Sequence, residues 1–305
     1  IGSYTRRLMN LRKFDGIIVK KSIWETELEA EFGNKFDLVY FSDVHPMSLL
    51  STMVYFKLFL KVPSFRILYP HYAAPIFFWR RTIVVVHDLF PLSVPSYYKK
   101  NAWIKIMHFK LMMFLNVQVE SIIFASEITR EKINIMYPEL AKKHSEVFLP
   151  IQLCTDYPKK NIDLSNEINL IYIGDCRPHK NIDHIIDVVD VLRTEFKISF
   201  VFIGPADEYF EFYRQNLERL NAQIYSSISE SVKYQLLKSA DVLISLSSDE
   251  GFGIPAHEAA NFGLSLLLSD IEVYRHYCSK YNSEFIDVMN IDSIEVLSLF
   301  KRLCR

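Results

Sequence analysis

Two glutamates eight residues apart, on either side of a glycine turn, carry the clearest chemistry in this sequence: Ser247-Ser248-Asp249-Glu250-Gly251-Phe252-Gly253-Ile254-Pro255-Ala256-His257-Glu258. An apolar run over 241–246 precedes the turn and reads as a strand. A helix follows, with Pro255 suited to its first turn and Gly263 to a left-handed terminus. Gly251 and Gly253 let backbone approach a ligand closely, and amides near 252–254 point out of the helix start, an end that attracts phosphate. Carboxylates beside an anion site make poor phosphate ligands. They make good acceptors for the hydroxyls of a sugar and a ribose. The plain alternative is an ordinary capped helix with two surface glutamates.

A second segment, Ile171-Tyr172-Ile173-Gly174-Asp175-Cys176-Arg177-Pro178-His179-Lys180-Asn181, runs from a buried strand through a turn into a helix. Arg177 and Lys180 are thereby held at the C-terminal edge of a strand, where an open α/β sheet binds ligands. Two cations there would neutralise a diphosphate leaving group. A solvated basic loop explains either cation alone better than it explains the pair. Lys180 and Glu250 are both expected to be exposed at strand ends.

Short β-branched runs alternate with longer helical patterns, the mark of parallel α/β layers. The expected strands are 16–19, 37–41, 82–86, 121–125 and 146–149, then 168–173, 198–203, 241–246 and 264–268. Their unbroken apolar character says that both faces are covered. Over 181–194 the residues Ile182, Ile185, Ile186, Val189 and Leu192 follow the helical period, with Asp183, Asp187 and Asp190 on a wet face. The shift in composition between Pro150 and Glu167 marks a linker. The expected organisation is therefore an α/β domain over 1–150, a linker over 151–167 and a second α/β domain over 168–305. The chain opens on a glycine turn and helical Tyr4–Leu11 where such a domain normally opens on a strand, so a first strand is expected to be missing.

The 305 residues include 35 basic and 36 acidic side chains, 50% are hydrophobic and 14% aromatic, which excludes disorder as the main state. No apolar run is long enough to span a bilayer. Cys154, Cys176, Cys278 and Cys304 form no Cys-x-x-Cys pair, and the histidines are scattered, so no metal site is expected. Four unpaired thiols suit a reducing compartment, hence a cytoplasmic location.

Together the two chemical segments resemble retaining glycosyltransferases of the GT-B fold, specifically glycosyltransferase family 4. The likeness lies in Gly174–Asn181, in Phe200–Pro205 with its Gly-Pro end, and in Glu250–Glu258 as a Glu-x7-Glu motif inside Glu-Gly-Phe-Gly-x-Pro. Ser229–Ala240 looks like the helix before the motif strand, and Ser269-Asp270 like the pair after the next one. The N-terminal half is similar more loosely, through His87-Asp88 after a strand, Ser126 and Arg130 in a later turn, and Gly2 in an opening glycine turn. His257, Asn261 and Phe262 depart from the family pattern, as does the Arg-Pro-His-Lys order of the phosphate turn.

The resemblance implies α/β architecture with two Rossmann-like parallel-sheet domains facing a central cleft, the N-terminal one binding acceptor and the C-terminal one a nucleotide-diphosphate sugar. It implies transfer of the sugar to an acceptor hydroxyl with retention, without metal or other cofactor. Arg177 and Lys180 would face the diphosphate and Glu250 the donor sugar. Gly251, Phe252, Gly253 and Ile254 would line the donor, Glu258 would bind ribose, and Gly2 and Ser229 would complete that site. His87 would lie near the reacting carbon, its alternative being a packed or capping histidine. Asp88, Ser126 and Arg130 are the acceptor-side candidates. An epimerase of the same fold and a non-catalytic sugar-nucleotide binder are the alternatives. A dinucleotide oxidoreductase lacks its Gly-x-Gly-x-x-Gly here.

Charge points to partners. Between Val44 and Glu120 the only acid is Asp88, against nine Lys and Arg interleaved with aromatics. Such a face suits an anionic membrane surface or a lipid-linked glycan acceptor at the inner face of the plasma membrane, with a solvated rim as the equal alternative. Nucleic acid is not expected, because total charge is near zero and no binding motif is present.

Overall fold

The computed structural model describes residues 5, 9–10, 16–19, 25, 28–42, 51–61, 66–73, 79–89, 92, 102–149, 151, 160–226 and 228–305. Packing divides the described residues into two units that change over between Leu149 and Ile151, with Leu92 and Ala102 grouping with the second. The expected glycine turn at Gly2 lies outside the described residues, as does most of helical Tyr4–Leu11.

In the first unit β1 (Gly16–Val19) pairs in parallel with β2 (Leu38–Phe41), and α1 (Glu29–Phe32) lies between them in sequence. Helix α2 (Ser51–Lys61) precedes a four-stranded parallel sheet of β3 (Ile67–Tyr69), β4 (Thr82–Val86), β5 (Ser121–Phe124) and β6 (Ser145–Val147). Helices α3 (Ala102–Leu115), α4 (Glu127–Met136) and α5 (Pro138–Ala141) connect these strands. β4 and β5 form the buried middle of the sheet, with Val84, Val85, Val86, Ile122, Ile123 and Phe124 almost fully enclosed.

The second unit is a six-stranded parallel sheet built from β7 (Ile168–Ile173), β8 (Ile198–Ile203), β9 (Gln223–Tyr225), β10 (Val242–Ser245), β11 (Ser265–Ser269) and β12 (Ser283–Ile286). Their spatial order is β12-β11-β10-β7-β8-β9, so the order reverses between β7 and β10. Open α/β sheets take ligands at such a reversal, beyond the C-terminal ends of the strands. Helices α6 (Ile182–Leu192), α7 (Glu208–Arg219), α8 (Glu230–Ser239), α9 (Ile254–Asn261), α10 (Glu272–Cys278) and α11 (Ser293–Leu303) alternate with the strands.

The apolar stripe of α6 is buried as its period requires, together with Val188. Its acidic face is wet only in part. Asp183 accepts a hydrogen bond from the Tyr213 hydroxyl at 3.0 Å and Asp190 pairs with Arg219 at 2.7 Å, because α7 packs alongside. From α11, Val296, Leu299, Phe300 and Leu303 complete the core of this unit. The end of the expected linker is fastened to the second unit: Lys160 donates to the carbonyls of Lys238 and Ala240 at the C-terminus of α8, and Ile162 and Leu164 pack on the core.

Candidate active site

Two turns leave the sheet on either side of the strand-order reversal, and each is shaped by what surrounds its glycines. Gly174 ends β7 where a Cβ would stand 2.6 Å from the Tyr172 hydroxyl, and at Gly204 a Cβ would stand 2.2 Å from the Gly174 carbonyl. The first turn then folds on itself. Tyr172 donates to the Asp175 carbonyl at 2.6 Å, while Asp175 accepts from the Arg177 amide and, at 2.8 Å, from its Nε. Asn181 adopts a left-handed conformation (φ 50°) and donates through Nδ2 to the Leu246 carbonyl at 2.8 Å, while the His179 carbonyl accepts from the Ser248 amide at 2.8 Å. The two loops are therefore one hydrogen-bonded structure.

Lys180 and Glu250 meet across it, Nζ to Oε1 at 2.6 Å, with side chains 15% and 14% exposed. This corrects the expectation that both stand exposed: the loops cross so closely that each charge is enclosed and satisfied by the other. Ser247 also donates to Glu250 at 2.8 Å, and buried Tyr274 reaches it at 3.5 Å while bonding Ser245. Burial works against ionisation of Glu250, yet Lys180 and the Ser247 hydroxyl outweigh it and hold the carboxyl below its usual range. Arg177 is more exposed and lies on Asp175 at 2.7 Å. His179 is buried, and burial, with Lys180 and Arg177 beside it, pushes its pKa down to about 4.

Gly253 caps α9 with φ 76°, and a Cβ there would sit 2.6 Å from the Tyr274 ring. Only glycine meets both demands. Phe252 points inward and stacks on His257 with ring centroids 4.3 Å apart, and His257 Nδ1 lies 3.0 Å from the Tyr281 hydroxyl. His257 is wholly enclosed, which, with the Lys280 charge, lowers its pKa to about 3. Ile254 and Pro255 form the first turn of α9, whose helical bonding starts from the Ala256 amide to the Gly253 carbonyl.

Glu258, on the same helix, is buried rather than at the surface, because α8 lies over it. Lys233 of α8 pairs with it at 3.0 Å and with Glu230 at 2.8 Å. Ser229 caps α8, accepting from the Val232 amide at 3.3 Å. Lys233 escapes a reading of motifs, but one signal was available: it falls four residues before Leu237 and seven before Ala240, on the apolar stripe.

The first-unit candidates belong to their own unit and are described there. His87 follows β4 with Nε2 3.1 Å from the Pro70 carbonyl, and burial lowers its pKa. Asp88 is its neighbour. Ser126 is fully buried as the cap of α4, accepting from the Thr129 amide at 3.1 Å, and Arg130 pairs with Glu127 one turn away. Cys176, Cys278 and Cys304 are buried free thiols, each pushed up to about 12 by burial. Among the described residues no group of three or more His, Cys, Asp or Glu could hold a metal ion.

Residues 155–296 match the family Glycosyl transferases group 1. The chain is 25% identical over 209 residues to the O-antigen chain mannosyltransferase RfbU of Salmonella typhimurium, a match covering 67% of this chain and 56% of that protein. It is 27% identical over 139 residues to the putative glycosyltransferase 63 of Sulfolobus islandicus filamentous virus, covering 46% of this chain and 40% of that one. The chain thus spans about half the length of the curated relatives it matches. Among solved structures, WaaG, a glycosyltransferase involved in lipopolysaccharide biosynthesis, is similar with a TM-score of 0.60 at 13% identity over 89% of this chain and 79% of that one. A trehalose-6-phosphate structure from E. coli, bound with UDP-2-fluoro glucose, is similar with a TM-score of 0.56 at 14% identity over 93% of this chain and 79% of that one. The two parallel-sheet α/β units are those of the GT-B fold.

Proposed function

We propose that this chain is a retaining glycosyltransferase of family 4 type, moving a sugar from a nucleotide-diphosphate donor to an acceptor hydroxyl. The observation that carries the reading is the Lys180–Glu250 pair beside the Gly251–Gly253 turn, at the strand-order reversal where such sheets take ligands. The match to group 1 glycosyl transferases over this same half supports it. In the reaction the bond between the anomeric carbon and the diphosphate oxygen breaks, and the acceptor oxygen bonds that carbon from the same face. The acceptor proton passes to the departing phosphate oxygen. Lys180 and Arg177 stabilise the leaving charge, Glu250 accepts donor-sugar hydroxyls, the Gly251–Ile254 backbone approaches phosphate and sugar, and Glu258 accepts ribose hydroxyls. Ser229 lies on the base side. His87, Asp88, Ser126 and Arg130 are assigned to the acceptor half, and the residues present provide charge stabilisation without a metal.

The test is incubation with a panel of nucleotide sugars, with and without glycan acceptors, followed by NMR of the product anomer. A retained linkage supports the reading, an isomerised nucleotide sugar would make it an epimerase, and donor that binds without turnover would make it a binding protein. Lys180→Ala should slow transfer by ~100-fold, since losing one such stabiliser in an enzyme typically costs 10²–10³ in rate.

The acceptor is proposed to be a lipid-linked or surface glycan, as the names of RfbU and WaaG suggest for those proteins. Supporting this, α3 exposes Trp103, Ile104, Met107, Leu111 and Phe114 along one side, next to Lys110. No helix among the described residues is long and apolar enough to cross a membrane, so α3 would lie in the interface of an anionic leaflet. Co-sedimentation with phosphatidylglycerol vesicles, lost in Trp103→Ser/Phe114→Ser, supports it; equal negligible binding to neutral and anionic vesicles overturns it.

A further inference from the structure

Lys233 is an expensive residue in its place. It is 9% exposed, stands in the first turn of α8, and continues the stripe that Leu237 and Ala240 bury. A cation near a helix N-terminus faces the positive end of the helix dipole. Burial lowers its tendency to hold a proton, yet Glu258 and Glu230 together reverse that and keep it charged. A leucine at 233 would fill the stripe without these conflicts, and buried ion pairs are weak sources of stability compared with apolar residues of similar size. The arrangement needs another explanation.

The partner supplies it. Glu258 is itself 4% exposed and sits on α9, the helix that opens at the Gly251–Gly253 turn. One of its oxygens, Oε1, is fixed by Lys233 at 3.0 Å, and the ammonium is fixed in turn by Glu230 at 2.8 Å. Glu230 belongs to the first turn of α8, directly after Ser229, whose hydroxyl caps that helix. The chain Glu230–Lys233–Glu258 therefore ties the start of α8 to the body of α9 through one ammonium.

We infer that Lys233 is a positioning residue that sets the rotamer of Glu258, and so gives the site its selectivity for a ribose over a deoxyribose donor. The inference rests on the reading of Glu258 as the ribose acceptor. A carboxylate held by a buried cation accepts two hydroxyl protons in a fixed direction. Without the ammonium, Oε1 loses the contact that fixes its direction, and the carboxylate is freer to turn away from the hydroxyls.

Calorimetry with UDP, GDP and ADP first identifies the nucleoside diphosphate that binds most tightly; its 2′-deoxy and 3′-deoxy analogues are then compared with it. The wild-type protein should bind a deoxy analogue at least 10-fold more weakly. In Lys233→Met that ratio should fall toward one, while Lys233→Arg keeps most of it. General loosening of the fold would weaken all three ligands alike and leave the ratio standing. The double variant Lys233→Met/Glu258→Gln removes both charges and so guards against a variant that does not fold. Its ratio should equal that of Glu258→Gln alone, because the two residues act as one unit. Unchanged selectivity in folded Lys233→Met, or selectivity lower in the double variant than in Glu258→Gln alone, would overturn the inference. No selectivity in the wild-type protein would instead overturn the assignment of Glu258 to ribose, and the inference with it.

Discussion

Lys180 and Glu250 hold each other at 2.6 Å in the loops where diphosphate and sugar are proposed to bind. A donor must then compete with Glu250 for the ammonium. Glu250→Gln should therefore bind a nucleoside diphosphate several-fold more tightly than wild type while transfer falls ~100-fold, the size typical for one lost transition-state contact. Calorimetry beside a turnover assay checks this, and weaker diphosphate binding would refute the competition. His257 provides a second prediction. Enclosed against Phe252 and Tyr281, it stays neutral down to about pH 3, whereas an unfolded chain protonates it near ~6.5. The unfolded state thus binds the extra proton between those values, and stability falls as pH drops from 7 to 4, by on the order of 3 kcal/mol from this group. His257→Phe should lose stability at pH 7, where the His257–Tyr281 contact is lost, and should decline less toward pH 4, as read by guanidinium denaturation. Motif spacing made Glu250, Lys180 and Glu258 visible in the sequence. It could not show that the first two are bonded to each other or that Lys233 holds the third, because those pairings join residues 25 and 70 positions apart.

The glycine turn ahead of α9 belongs to the scale of elements. Gly253 has φ 76° and its missing Cβ leaves the space that Tyr274 fills. Gly253→Ala must strain the backbone and displace that ring, which also bonds Ser245 and reaches Glu250. The expected loss is about 1–3 kcal/mol from backbone strain alone, with a steep fall in donor affinity. Thermal melting and donor titration measure the two parts. Element recognition followed how continuous each apolar run was. β7, β8 and β4 have the bounds that their runs imply, and the stripe of α6 is where its period puts it. β3, β9 and β12 are absent from the expected strands; Gln223, Ser283 and Glu284 give β9 and β12 polar ends that interrupt the apolar run. Those strands form only because a neighbour offers them a ladder.

At the scale of the whole molecule no sheet is shared between the units: the first carries a two-stranded and a four-stranded sheet, the second a six-stranded one. Heating should resolve two transitions, and a nucleoside diphosphate should raise only the one belonging to the second unit, by ~2.7 kcal/mol at one hundred times its Kd. Differential scanning calorimetry with and without the nucleotide decides it; a single transition moved as a block would show the units to be coupled. Alternation of β and α segments made the parallel sheets legible, whereas strand order is fixed by which edge each crossover reaches, and no residue encodes that alone. The buried thiols have a consequence for watching this molecule move. Cys176, Cys278 and Cys304 all belong to the second unit, and burial keeps them as unreactive thiols. Alkylation must wait for each to be uncovered, so its rate times the opening of the structure around that sulfur. Cys278, at the end of α10, and Cys304, directly after α11, keep time for the frame. Cys176 lies inside the Gly174–Lys180 turn, and makes that turn its own stopwatch.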